Sequence, residues 1–245
     1  MILRRVIEHV RTQNWTAVVL DFFIVVVGVF IGIQVSNWNE TRSDAIEAGN
    51  ALDWLEEDFR QNLARTERSL AAHETNLAAA GRLIDGIRTG QFVEGSLTQD
   101  INRAANFATP PGPSATFQEL VSGSRLRLIR SVDLRRKLYE YDDYVTFLRS
   151  QYGYFTEALR VTRDGMLRAH SLDVSGEPSM EIAGTWTTAD VDRNRLKSDP
   201  EMLVLLQSAY GTQDNIHAVL LATRTRIVEI LELIRAERIA GTGSG

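Results

Sequence analysis

Leu134–Met166 reads LRRKLYEYDDYVTFLRSQYGYFTEALRVTRDGM. Within it Leu134, Leu138, Tyr141, Val145, Leu148, Tyr152, Phe155, Leu159, Thr162 and Met166 follow one another at steps of four and three without a break. An α-helix turns once in about 3.6 residues, so this alternation lays all ten on one stripe. A stripe sustained over so many turns needs partners along its whole length. The pattern therefore predicts a helix inside a bundle rather than a lone surface helix.

Two further segments carry related spacing. Met202, Leu206, Ala209, Gln213, Ile216, Leu220, Thr223, Ile227, Ile230 and Ile234 repeat the alternation. Upstream, Leu52, Leu55, Phe59, Leu63, Leu70, Leu77, Ile84 and Ile87 recur at helical intervals, with Gly49, Gly81 and Gly86 as places where a helix can bend. Three such helices pack most simply on each other, so the sequence predicts an all-α fold with an elongated antiparallel bundle over residues 39–240. Ser131 with Asp133, and Ser198-Asp199-Pro200, supply starts for the second and third helices, because Ser and Asp accept free backbone N–H groups and proline fits the first turn. Between the helices, residues 90–130 hold a short helix near Leu97–Phe107 and the stiff loop Thr109-Pro-Pro-Gly-Pro113. Residues 171–199 are too polar and broken for a long helix, and Met180–Thr187 reads equally as a short hairpin or a packed loop. Residues 241–245, GTGSG, read as a flexible tail.

Before the bundle stands WTAVVLDFFIVVVGVFIGIQVSNW, Trp15–Trp38. At about 1.5 Å per residue a helix of this length covers roughly 35 Å, enough for a hydrocarbon core of about 30 Å. Trp15 and Trp38 bracket it as interface anchors, since the indole ring is apolar and its N–H needs a polar partner. Arg4, Arg5 and Arg11 precede it, while only Arg42 follows closely, among Glu40, Asp44 and Glu47. That bias places residues 1–14 in the cytoplasm and the bundle outside it, which in a bacterium means an inner-membrane anchor and a periplasmic domain. A cleaved signal peptide is the rival reading; against it, the apolar run is long and no A-x-A-like site follows. Arg224, Arg226, Glu229, Glu232 and Arg235 rule out a second span in the third helix, so the chain is expected to carry no intracellular output domain.

Asp21, Gly28, Gly32 and Ser36 fall on one face of the anchor. Small residues let a second helix approach and a carboxyl can bond across, so this face suits an integral membrane partner or self-association. The alternative is that Asp21 meets the interface and the glycines are incidental.

Asp21, Gly28 and the ending Gln34-Val-Ser-Asn-Trp-Asn-Glu40 resemble the pattern of an uncharacterised family of bacterial single-pass proteins. In that family an acidic residue opens the membrane helix, a glycine follows seven positions later, and the helix closes with Q-x-x-N-W-N-E. Here Asp21 stands where glutamate is usual. Glu119-Leu-Val-Ser-Gly-Ser-Arg-Leu-Arg-Leu-Ile129, then Leu134-Arg-Arg, resembles its second patch. The resemblance implies a membrane-anchored helical domain and no known activity.

The 245 residues carry a net charge of −5 and no cysteine. The charge gives no general attraction to nucleic acid, and the missing thiols exclude disulfides and cysteine nucleophiles. His9, His73, His170 and His217 show no paired spacing, and no P-loop, H-E-x-x-H or G-x-S-x-G motif is present. No catalytic residue, cofactor or metal site is expected, and the chain reads as a non-enzyme. Tyr139, Tyr144 and Tyr154 lie off the apolar stripe and offer either a binding surface or partial burial against neighbouring helices. Arg125 and Arg127, with Arg130, Arg135, Arg136 and Lys137, make a basic patch that suits an anionic partner or an ion-paired face. Trp186 lies in the irregular connection and joins this candidate surface. Two functions follow. One is an accessory or scaffold subunit docking by its membrane helix and external bundle. The other is a sensor-like ligand-binding bundle that signals through a separate protein.

Overall fold

The computed structural model describes residues 15–173 and 187–242. The Trp15 side chain, Trp186 and nearly all of Met180–Thr187 lie outside what it describes, as do residues 1–14 and 243–245. Six α-helices occur among the described residues, and the fold is all-α. They are α1 Trp15–Thr89, α2 Leu97–Ala104, α3 Ala115–Ser122, α4 Val132–Met166, α5 Arg193–Ser198 and α6 Pro200–Thr242. A 3₁₀ turn covers Leu126–Leu128. The chain divides into two compact units between Asn50 and Ala51.

In the first unit the helix is long and apolar enough to cross a membrane. From Val19 onward its large side chains are exposed, including Phe22, Phe23, Ile24, Val29, Phe30 and Ile33. Trp38 is 65% exposed and carries Arg42 over its ring at 5.8 Å. No helix break occurs at residue 38, where the anchor was expected to end, and none at Gly49, Gly81 or Gly86. Gly86 has a packing role instead: a Cβ there would collide with the Phe92 ring.

The second unit is built on the three apolar stripes. All ten stripe residues of α6, from Met202 to Ile234, are buried. In α4 eight of the ten are buried, and Tyr152 and Phe155 are half-buried. From α1, Leu52, Leu55, Phe59, Leu70 and Ile84 join them. Burying each such side chain contributes roughly 1.5–3 kcal/mol of transfer free energy. The expected caps form: the Ser131 hydroxyl accepts from Leu134 N, and Asp199 accepts from Glu201 N at 3.0 Å ahead of a helix whose first residue is Pro200.

Helix direction follows from cross-helix contacts. Tyr144 meets Val219 and Thr162 meets Leu205, so α4 and α6 are antiparallel. Glu67 pairs with Arg224 and Glu74 with His217, so α1 and α6 are antiparallel too. Helices α1 and α4 run parallel: Phe59 packs on Tyr141 at 5.0 Å, while further along Leu70 shares a cluster with Leu159. The antiparallel expectation therefore holds for α6 against both neighbours, and the connector between α1 and α4 makes the third pair parallel by travelling back down the bundle. At the other end, His170–Asp173 and Thr187–Val191 pair as an antiparallel two-stranded ribbon ahead of α5.

Candidate functional site

The returning connector has little secondary structure between α2 and α3, so its backbone groups must find partners elsewhere. They find them in side chains of all three long helices. From α1, Asn62 Nδ2 donates to Gly112 O at 3.2 Å, Ser69 Oγ to Thr109 O at 3.4 Å and Asn76 Nδ2 to Asn106 O at 3.0 Å. From α4, the hydroxyl of Tyr141 donates to Gly112 O at 3.0 Å, and that of Tyr152 to Ala108 O. From α6, Gln213 Nε2 donates to Asn106 O at 2.6 Å and Ala104 O at 3.3 Å. Lower down, Asp58 accepts from Ser114 Oγ at 2.8 Å and Thr116 N at 2.9 Å, fixing the start of α3. Higher up, buried Asp100 accepts two bonds from Arg82 and one from Ser96. Burial raises the pKa of Tyr141, and that of Tyr152 to about 12, so both hydroxyls stay protonated and donate.

His73 is the centre of this clamp and is fully buried. Its Nδ1 lies 2.5 Å from Gln213 Oε1, and the Ala108 N–H donates to its Nε2 at 3.4 Å. Only the neutral ring with the proton on Nδ1 serves both partners. Burial also lowers its pKa, which favours the same form. The polar residues Asn62, Ser69, His73 and Asn76 thus occupy buried positions on α1 because they hold a loop, while buried Thr66 donates to Asn62 O within the helix at 2.8 Å.

The clamped connector forms one wall of a groove of about 990 Å³, completed by α1, α4 and His170. Arg65 and Arg68 of α1 line it with Arg149 and Arg163 of α4, beside Phe107, Pro110, Pro111 and Met166. Among the described residues, no acidic side chain lines it. His170 holds its ring by Nδ1 against Met166 O at 2.6 Å, and burial lowers its pKa.

The residues singled out in the sequence are not gathered here. Asp21, Gly28, Gly32 and Ser36 share one exposed face of the first unit, and a Cβ at either glycine would meet nothing within 4 Å. Tyr139 and Tyr154 are exposed, Tyr154 at 75%. Tyr144 takes the partial-burial alternative, donating to Val219 O at 3.3 Å with Arg226 stacked 4.0 Å from its ring. Much of the basic patch is tied up within the bundle: Arg136 pairs with Asp133, Lys137 with Glu140 and Glu229, and Arg135 bonds the carbonyls of Ile129 and Arg130. Arg125 precedes the 3₁₀ turn, Arg127 lies within it, and both are exposed. The four groove arginines were not singled out, although a signal was present. None has Asp or Glu three or four residues away on either side, unlike Arg60, Arg136 or Arg160.

A model of a protein family described as of unknown function matches residues 21–154. The matched span opens at Asp21, contains both patches that carried the resemblance, and includes the connector with its partners on α1 and α4. No curated protein and no solved structure matches the chain.

Proposed function

Taking as premise that the chain belongs to this family, DUF6090, we propose that it is a membrane-anchored accessory protein of a bacterial inner-membrane complex. The apolar segment of α1 spans the bilayer with residues 1–14 in the cytoplasm and the bundle in the periplasm. It docks a second membrane helix, from an integral membrane partner or another copy, through the face of Asp21, Gly28, Gly32 and Ser36. One observation supports this most. The whole apolar run from Val19 is uncovered by protein, and on one side it offers two glycines with open space before them. In lipid such a surface gains from close backbone packing and from a polar group bonded across the interface. The basic residues ahead of the segment support the orientation.

The test is recovery of partners from membranes in mild detergent. Gly28→Leu with Gly32→Leu should insert as well as wild type, because leucine is more apolar, yet lose co-purifying protein and self-association. Asp21→Asn should have a smaller effect, since an amide still bonds. Equal recovery from wild type and the double leucine variant would reduce the segment to a tether.

A further inference from the structure

We propose that the groove between the connector, α1 and α4 binds a small soluble organic anion carrying two or more phosphate or carboxylate groups. The inference goes beyond membrane docking and uses bundle residues alone. Its first support is charge. Among the described residues no carboxylate pairs with Arg65, Arg68, Arg149 or Arg163, although the same helices pair Arg60 with Glu56, Arg82 with Asp100 and Arg160 with Glu157 and Asp164. Arg65 and Arg68 lie one turn apart on α1 and repel each other, while Arg149 and Arg163 stand roughly 21 Å apart along α4, so an anion with charges at separated ends can accept paired N–H bonds from more than one fork.

The second support is shape. About 990 Å³ is far more than an inorganic ion fills and lies at the upper end of small-molecule sites. Phe107, Pro110, Pro111 and Met166 give the groove apolar surface for a carbon skeleton between the charged ends. The third is rigidity. The connector wall is held by Ser69, His73, Asn76, Tyr152 and Gln213, so little ordering remains to be done when a ligand arrives.

The full chain in a neutral detergent is titrated calorimetrically with citrate, pyrophosphate and fructose 1,6-bisphosphate at constant ionic strength, with sulfate as control. At least one probe should bind once per chain with a submillimolar Kd and raise the melting temperature, and sulfate should not. Arg149→Gln with Arg163→Gln, and separately Arg65→Gln with Arg68→Gln, should each weaken that binding roughly tenfold or more. Without ligand, both variants should melt no lower than wild type, because among the described residues no carboxylate pairs with these arginines. Arginines serving only the fold would make the variants melt lower. That result, the absence of binding by all three probes at about 10 mM, or affinity unchanged in both variants would overturn the proposal.

Discussion

Residues 19–38 and residues 58–76 belong to the same helix and distribute polarity in opposite ways. The first stretch turns valine, isoleucine and phenylalanine outward on every side. The second hides Asn62, Thr66, Ser69, His73 and Asn76, while Arg65 and Arg68 stay at the surface. An inside-out pattern has a different cause in each. An uncovered apolar helix is stable where lipid replaces water. A buried polar stripe is stable where each group finds a partner, here the backbone of a loop that has no ladder of its own for Asn62, Ser69, His73 and Asn76, and the helix's own Asn62 carbonyl for Thr66. The lesson is that a helix position is polar or apolar according to what covers it, not according to whether it is covered.

The largest effect should come from breaking each half with the same chemistry. Leu148→Asp puts an unpaired carboxylate in the bundle core, where Leu148 is 4% exposed, and should cost more than about 4 kcal/mol, abolishing cooperative melting. Val25→Asp should leave bundle melting within about 0.5 kcal/mol of wild type and instead reduce membrane recovery, since an aspartate near a span centre costs about 2.5–3.5 kcal/mol on insertion. Normal melting of the Leu148→Asp variant would undo the stripe assignment.

Next in size is the clamp. His73→Ala leaves the Ala108 N–H and the Gln213 carbonyl oxygen without partners and opens a cavity beside them. A loss of about 2–4 kcal/mol is expected in denaturant titration of the bundle. Its pH dependence has a definite sign. Burial holds the His73 pKa below its ordinary value of 6.5, so the unfolded chain takes up the proton first as pH falls. Stability should be full above about pH 6.5 and decline below it, at no more than about 1.4 kcal/mol per pH unit for this histidine, until the folded pKa is passed. Melting between pH 8 and 5 tests this, and a His73→Leu variant should show a shallower decline. The smallest effect is local: Ser131→Ala removes the cap on α4 and should cost about 1 kcal/mol in the same titration.

Much of the fold was legible because it is written in apolar spacing. The stripes of α4 and α6, the Ser131 and Asp199-Pro200 starts and the short helix at Leu97 depend only on neighbours in sequence. The parallel pairing of α1 with α4 was not legible, because it depends on where the connector travels. That route is recorded in polar residues, Asn62, Ser69, His73 and Asn76, whose partners are backbone atoms with no sequence signature. The groove was hidden for a related reason. Its arginines come from two helices whose parallel pairing depends on the connector's route, and the one local sign was the lack of an acidic residue three or four positions away. The shared face of Asp21, Gly28 and Gly32 was legible because all three lie on a single helix.

The retracing connector also sets an order of assembly. Asp58, Asn62, Ser69, His73 and Asn76 meet partners only 30 to 58 residues later. Asp53 meets Arg238 only after 185 residues. At a synthesis rate of about 5–20 residues per second, roughly 10–40 s separate the emergence of Asp53 from that of Arg238. During that interval the connector can already lie on α1 while the surface awaiting α6 stays open. Until the last helix emerges, the apolar stripe positions that it covers have no partner, and surface of that kind is what makes partly made chains prone to aggregate.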